Sequence, residues 1–377
     1  MHISVAITTL LGISTTVVNG LVPTQGQPSP SFAGSNEYFL HALPVSEQKA
    51  YIETLAARGA KVLRLWVTNV EAGCLKGSHI PTTIPPFEST IGTYNPAVLS
   101  ALDTTLSLLR ASNMKAIISP HNANTLSGSA SCDAYCKKYG AAPTTFYSSV
   151  AAKADYDARL SAILHYASPN FNGRAWKDLH EVILAFDLQN EPMIAQLDLL
   201  KANDPDDWLC GRAGMLRREL GDSRIKVATG GVGGSHYCCD HEFNTLPKAM
   251  QCGAIDIISI HGYNSKAGDW AYFITGDAEV MTPSKEAGKN VMIEEWGVAV
   301  DYHDGFDAQV KIFNDAGVPW LYWQVVPGLD GSQPGAPTNC GYDTFEIGLN
   351  SSKGDIASGI SAANAATAAQ SWASYFD

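Results

Sequence analysis

The sequence predicts an α/β fold, an eight-stranded (β/α)8 TIM barrel in one domain. Three observations lead there. Short apolar runs alternate with helical patterns along nearly the whole chain, an order that builds a parallel sheet covered by helices. The runs number eight, which favours closure over an open sheet, and Gly34-Ser-Asn-Glu after the first run is not the glycine fingerprint of an open dinucleotide-binding sheet. Nearly every run ends, on its C-terminal side, in polar residues that are costly to bury without purpose.

The candidate strands are residues 32–40, 61–68, 115–121, 182–189, 225–229, 255–261, 290–295 and 319–325. Ser46-Glu-Gln-Lys opens the first helix, with Tyr51, Ile52 and Leu55 at helical spacing and Gly59 as the stop. Asn95-Pro96 opens the second, which runs through Leu99, Leu102, Leu106 and Leu109. Residues 147–166, 206–220, 306–314 and the alanine-rich 356–375 complete the helix candidates. The fourth strand is the clearest: Val182-Ile-Leu-Ala-Phe is apolar throughout, as a strand buried on both faces should be, and then turns polar at Asp187, Gln189, Asn190 and Glu191.

The 377 residues, 45% hydrophobic and 16% charged, can bury a large core. With a net charge of −12 and no Lys/Arg cluster, a nucleic-acid partner is excluded. Residues 1–20 have the size of a secretory signal peptide and are too short to span a membrane, although only His2 stands where such peptides carry Lys or Arg. The mature catalytic domain is then residues 25–377, secreted and extracellular, free of membrane and expected to be a monomer. Eight cysteines in an exported chain imply disulfides. Cys74, Cys132, Cys136, Cys238, Cys239, Cys252 and Cys340 fall in connections after strands two, three, five and eight. On a barrel those are the loops of the catalytic face, so the bridges are expected to pin substrate-side loops, and bridges between outer helices would count against that. Asn350-Ser-Ser is the single N-glycosylation sequon.

The polar strand ends carry the chemistry. Arg64 and Trp66 share a face of the second strand. The third ends at His121-Asn122, the fourth at Asn190-Glu191, the sixth at His261-Gly-Tyr263, the seventh at Glu294-Glu295-Trp296-Gly297, and the eighth carries Trp323-Gln324. In a barrel they meet at one mouth. Two carboxylates there can cleave a glycosidic bond, one delivering a proton while the other attacks or activates water.

This set, in this order and at barrel spacing, resembles glycoside hydrolase family 5, a family of retaining (β/α)8 hydrolases. The resemblance implies Glu191 as general acid/base and Glu295 as nucleophile, with Arg64, Trp66, His121, Asn190, His261, Tyr263 and Trp323 binding substrate or supporting the carboxylates. No metal and no cofactor are expected. Arg64 should hold Glu295 ionised, and the charge collected there should raise Glu191. Strand parity groups Val291, Ile293 and Glu295, which would turn Glu294 toward the helices as a salt-bridged structural residue. Asp187 is a candidate structural acid inside the barrel, and Asn69, Trp270, Trp296 and Gln324 are further candidate sugar contacts.

Arg64-Leu-Trp66, Asn36, Glu294-Glu-Trp-Gly and Trp323 are most similar to the fungal mannanase branch, which implies a secreted endo-β-1,4-mannanase acting on β-linked polysaccharide. An endo-β-1,4-glucanase or an exo or disaccharide-releasing β-glycosidase of the same family is the alternative. The opening Gly34-Ser-Asn-Glu-Tyr-Phe and the Cys238-Cys239-Asp-His stretch both depart from the branch. Two readings from other classes, a metal-dependent barrel hydrolase and a catalytically dead sugar-binding barrel, differ in what they expect of a Glu191 variant.

Overall fold

The computed structural model describes residues 29–127, 131–234, 241–276, 280–299 and 304–376. The candidate leader and the Cys238-Cys239 pair lie outside the described residues. Eight parallel strands close into a barrel: β1 Ala33–Asn36, β2 Val62–Trp66, β3 Lys115–Ser119, β4 Ile183–Asp187, β5 Lys226–Ala228, β6 Ile257–Gly262, β7 Asn290–Trp296 and β8 Trp320–Tyr322. Each is one of the eight runs read from the sequence. Ring closure comes from Ala33 and Gly34 pairing with Trp320 and Leu321. Gly34 is required there, because a Cβ would fall 1.8 Å from the Val62 carbonyl oxygen.

The main helices of the outer layer are α1 Val45–Ala57, α2 Ala97–Ala111, α3 Val150–Leu164, α4 Trp208–Leu220, α5 Pro247–Gln251, α6 Ala267–Thr275, α7 Phe306–Asp315 and α8 Ile356–Ala365. Alternation along the strands separates two cores. Leu63, Leu65, Ala116, Ile118, Val291 and Ile293 pack outward under the helices. Val62, Ile117, Ala185, Ala228, Ile257, Met292 and Leu321 fill the barrel floor. One more step toward the C-terminal ends, the inward positions become Arg64, Asp187, Ser259 and Glu294, all fully buried. The interior thus changes from apolar floor to polar mouth within about two residues per strand.

Several elements differ from the sequence reading. The expected helix 147–166 is two, Pro143–Ser148 and α3, broken at Ser149, whose side chain caps α3 by accepting from Ala152 N. The expected helix 356–375 stops at Ala365, because the chain turns back under the barrel. There Thr367 pairs with Pro30, Trp372 N donates to Ser29 Oγ, and the Trp372 ring meets Phe32 edge-on at 5.2 Å. Helices α5 and α6 went unread, being too short to show a helical period. In the connection after β2, hairpins Gly73–Leu75/Ser78–Ile80 and Glu88–Thr90/Thr93–Tyr94 build a wall on the catalytic face.

Three disulfides join the described cysteines. Cys74–Cys340 ties the first hairpin after β2 to the loop after β8, and Cys132–Cys136 closes a turn after β3. Both pin loops of the catalytic face. Cys210–Cys252 does not: it links α4 to the C-terminal end of α5. The expectation that the bridges serve the catalytic loops therefore fails for that pair, because Cys252 follows a short helix the sequence reading had taken as loop. No described helix is long and apolar enough to cross a membrane.

Candidate active site

Arg64, pointing inward from β2, is the hub. Nε donates to Asp187 Oδ2 at 2.9 Å and lies 3.4 Å from Glu294 Oε2. The terminal nitrogens reach Glu295 Oε2 at 2.8 Å, Asn190 Oδ1 at 2.9 Å and Asn36 Oδ1 at 3.2 Å. One buried cation thus organises side chains from β1, β2, β4 and β7. Glu295 also accepts from the Tyr263 hydroxyl at 2.8 Å.

Glu191 follows β4 in a left-handed backbone conformation, φ +52°, which a β-carbon disfavours. Strain of this kind persists where the surroundings hold it. Here Glu191 N donates to Gly230 O at 2.7 Å, and Asn124 Nδ2 donates to Glu191 Oε2 at 2.8 Å. The result is proximity: carboxylate oxygens of Glu191 and Glu295 and a ring nitrogen of His261 all lie within 4.8 Å of one another. Although those three groups could jointly face an ion, the Arg64 guanidinium already occupies the same carboxylate of Glu295, so the set suits a proton far better than a metal.

Parity misplaced Glu294. Met292 and Glu294 are the inward residues of β7, and Glu294 lies beside Arg64 and, at 3.2 Å, His261 Nε2. Glu295 reaches the mouth as well because the pairing slips. His261 pairs with Glu295 after Ile260 has paired with Ile293, and the β7–β8 register shifts between Ile293 and Trp296. A bulge of this type lets consecutive residues approach one face. The salt-bridged character expected of Glu294 stands, but its direction is inward.

His121 has both ring nitrogens engaged by protein, with Nδ1 accepting from Gln189 Nε2 at 2.9 Å and Nε2 2.5 Å from Asp133 Oδ2. It holds the loop that carries Asn122 and Asn124. Asn190 spans Arg64 and Asn122, donating to Asn122 Oδ1 at 3.0 Å. Trp66 and Trp323 lie 5.4 Å apart, with Arg64 over the Trp66 ring, and Tyr38 stacks on Trp323 at 5.8 Å with planes 8° apart. The Trp323–Gln324 peptide is cis. Trp66 Nε1 is buried and has no protein partner. Trp270 and Trp296 instead fill the outer core, at 1% and 0% exposure.

Sequence reading missed Tyr38, Asn124, Asp133 and Asp343, whose carboxylate accepts from Trp323 Nε1 at 3.2 Å. Tyr38 sits just past β1, where its face relative to the mouth follows from how the barrel closes. Asn124, Asp133 and Asp343 stand in loops, which have no period to read.

The charges act on one another. Burial would push His261 down, but the Glu295 charge and hydrogen bonds to Glu191 and Glu294 outweigh it and raise the imidazole from 6.5 to about 9. Burial and the neighbouring Glu294 charge raise Asp187 from 3.8 to about 8 despite Arg64. Against the cost of burial, His261 and Asn124 hold Glu191 below the ordinary carboxyl range. Burial raises Glu295, with His261, Arg64 and Tyr263 opposing. Both directions are the reverse of the sequence expectation: His261 holds Glu191 low, whereas burial and the Glu191 charge raise Glu295 against His261. Its cation faces both carboxyls, the supporting one of the two roles the sequence suggested.

A stability prediction follows with a definite sign. A group whose folded-state pKa is raised contributes stability that is complete below its unfolded value and disappears as pH passes the folded one. For His261 that window is 6.5 to about 9, and the Asp187 window, 3.8 to about 8, overlaps it. Calorimetric Tm should fall steadily from pH 6.5 to 9, by the equivalent of about 5 kcal/mol, roughly 3 from His261 and roughly 2 from Asp187. A flat or rising Tm across that range would contradict a buried imidazolium.

Residues 23–328 match the family model described as cellulase (glycosyl hydrolase family 5). The chain belongs to that family. It is a glycoside hydrolase of the retaining type. Among curated proteins, it is 25% identical over 355 residues to the probable mannan endo-1,4-beta-mannosidase A of Aspergillus flavus, covering 88% of this chain and 84% of the relative. It is also 25% identical over 314 residues to mannan endo-1,4-beta-mannosidase F of Aspergillus fumigatus, covering 78% and 66%. Among solved structures, the endo-1,4-beta-mannanase of Rhizomucor miehei superposes with TM-score 0.66 at 17% identity over 90% of this chain and 98% of that one, a likeness of fold.

Proposed function

We propose that this family 5 hydrolase is a secreted endo-β-1,4-mannanase in which Glu191 is the general acid/base and Glu295 the nucleophile. The observation that carries the roles is the approach of the two carboxylates to within 4.8 Å, the spacing of a double displacement and too close for the intervening water of an inverting enzyme. Glu295, oriented by Arg64 and Tyr263, attacks the anomeric carbon while Glu191 protonates the leaving oxygen. Glu191 then deprotonates the water that releases the glycosyl group. Arg64 and Tyr263 fix the orientation of the Glu295 carboxylate, and Asn124 and the His261 ring fix that of Glu191.

Trp323, Trp66 and Tyr38 offer apolar faces to a sugar ring. Asn190, held by Arg64 and Asn122, can spare its second amide hydrogen for the sugar 2-hydroxyl, a contact that strengthens in the transition state. His121 acts through the loop it holds.

The choice of mannan rests on the two Aspergillus relatives, both named as mannan-cleaving enzymes. Three disulfides support an oxidising compartment, and Asn350 is exposed and can receive a glycan. The test is a product profile on mannan, glucomannan and carboxymethyl-cellulose. Mannan should give a ladder of short oligosaccharides from the first minutes. Release of one sugar size from chain ends, or preference for carboxymethyl-cellulose, would replace the endo or the mannan part of the reading.

A further inference from the structure

Glu294 is a third carboxylate at the mouth, 0% exposed, and the double displacement gives it nothing to do. Arg64 alone does not account for it: Arg64 Nε is 3.4 Å from Glu294 but 2.9 Å from Asp187. The shorter contact of Glu294 is with His261 Nε2, at 3.2 Å. On the opposite side of that ring, Nδ1 is 3.4 Å from Glu191 Oε1 and 3.7 Å from Glu295 Oε2. A neutral imidazole has one N–H, so it can donate to one side only. Both sides are satisfied by the imidazolium.

The ring has little freedom to turn away. Gly231 lies against it so closely that a Cβ there would come within 2.2 Å of Cγ, and His261 N donates to Asn244 Oδ1 at 3.0 Å. The charged groups that bear on it come from three strands: Arg64 of β2, Asp187 and, just beyond the strand, Glu191 of β4, and Glu294 and Glu295 of β7. On the β5 side, among the described residues, the ring meets Gly231, and Asn244 holds the His261 backbone N–H.

We propose that Glu294 is a positioning residue for proton transfer: by keeping His261 charged, it stores on Nδ1 the proton that Glu191 delivers to the leaving oxygen. The inference rests on the acid/base reading of Glu191. In the first step the Nδ1 proton passes to Glu191 Oε1 and on to the glycosidic oxygen, as a Glu295 oxygen bonds to the anomeric carbon and the bond to the leaving oxygen breaks. In the second, water adds to that carbon, its bond to Glu295 breaks, and the water proton returns through Glu191 to Nδ1. One proton cycles, and Glu294 remains a carboxylate throughout. This accounts for a resting Glu191 held low in a site that needs an acid: its proton is stored one hydrogen bond away.

Glu294→Gln keeps the shape and an acceptor oxygen but removes the charge. The pH dependence of kcat/KM is measured on the tetrasaccharide of whichever sugar the product profile selects and on its 2,4-dinitrophenyl β-glycoside, whose leaving group departs without a proton. On the tetrasaccharide the alkaline limb should move about one unit to lower pH, the scale of a lost neighbouring charge. The dinitrophenyl glycoside should keep its plateau rate within about threefold. An unmoved limb, or equal losses on both substrates as a disturbed Arg64 would give, overturns the proposal. If the variant does not fold, 15N NMR of the wild-type imidazole decides. Both His261 nitrogens should carry protons at pH 7.5, and a neutral ring overturns it. Undiminished tetrasaccharide hydrolysis by Glu191→Ala would overturn the acid/base reading and this proposal with it, whereas loss there with an unmoved Glu294→Gln limb overturns this proposal alone.

Discussion

Glu191→Ala is expected to lower kcat on polysaccharide by a factor on the order of 10² to 10⁴, the usual contribution of a positioned acid/base. The loss should shrink on aryl glycosides with good leaving groups, because only the deglycosylation step then needs the missing base. That split separates a missing proton donor from a collapsed site. Glu191 is 7% exposed and contacts Asn124 and His261, so alanine removes no large packing contact. A metal-dependent hydrolase would show no such split, and a sugar-binding barrel would have no activity to lose. Unchanged turnover on polysaccharide would reject the assignment.

Arg64→Met should produce the largest loss of stability of any single change at the mouth. The guanidinium is 0% exposed and is within hydrogen-bonding or ion-pair distance of Asp187, Glu294, Glu295, Asn36 and Asn190. Methionine fills the stem but leaves three buried carboxyls with His261 as their nearest cation. Removing one partner of a buried ion network costs about 3–5 kcal/mol, read as a lower denaturant midpoint at unchanged slope. Part of that loss should return at acid pH, where the stranded carboxyls take up protons. A cost below about 1 kcal/mol would mean that the network relaxes into water, and Arg64 would cease to be the hub of the site.

Much of the architecture was legible because burial on both faces leaves an unmistakable mark. Runs such as Ile183–Asp187 are apolar until the position that reaches the mouth, and the change from Ala185 to Asp187 marks where the floor ends. Arg64 and Tyr263 were legible as polar groups bound for the mouth, and the family resemblance implied their place beside Glu295. Glu294 was not. It follows Met292 inward by plain alternation, and parity was misled because Glu295 reaches the same mouth through pairing slips between β6, β7 and β8, a relation between strands that no single run contains. Cys210–Cys252 escaped likewise, since pairing of cysteines is decided by which helices become neighbours.

The order of the eight strands and the identity of the groups at their C-terminal ends were determined by the sequence itself, because hydrophobic alternation and its interruption are local properties of the chain. The distances among those groups were decided by the closed barrel alone. Closure sets Glu191, His261 and Glu295 within 4.8 Å of one another, and electrostatic coupling depends on separation and burial rather than on residue type. Which group holds the proton at rest is therefore a property of the assembled mouth: His261, an ordinary imidazole in the sequence, becomes a cation once three carboxylates surround it.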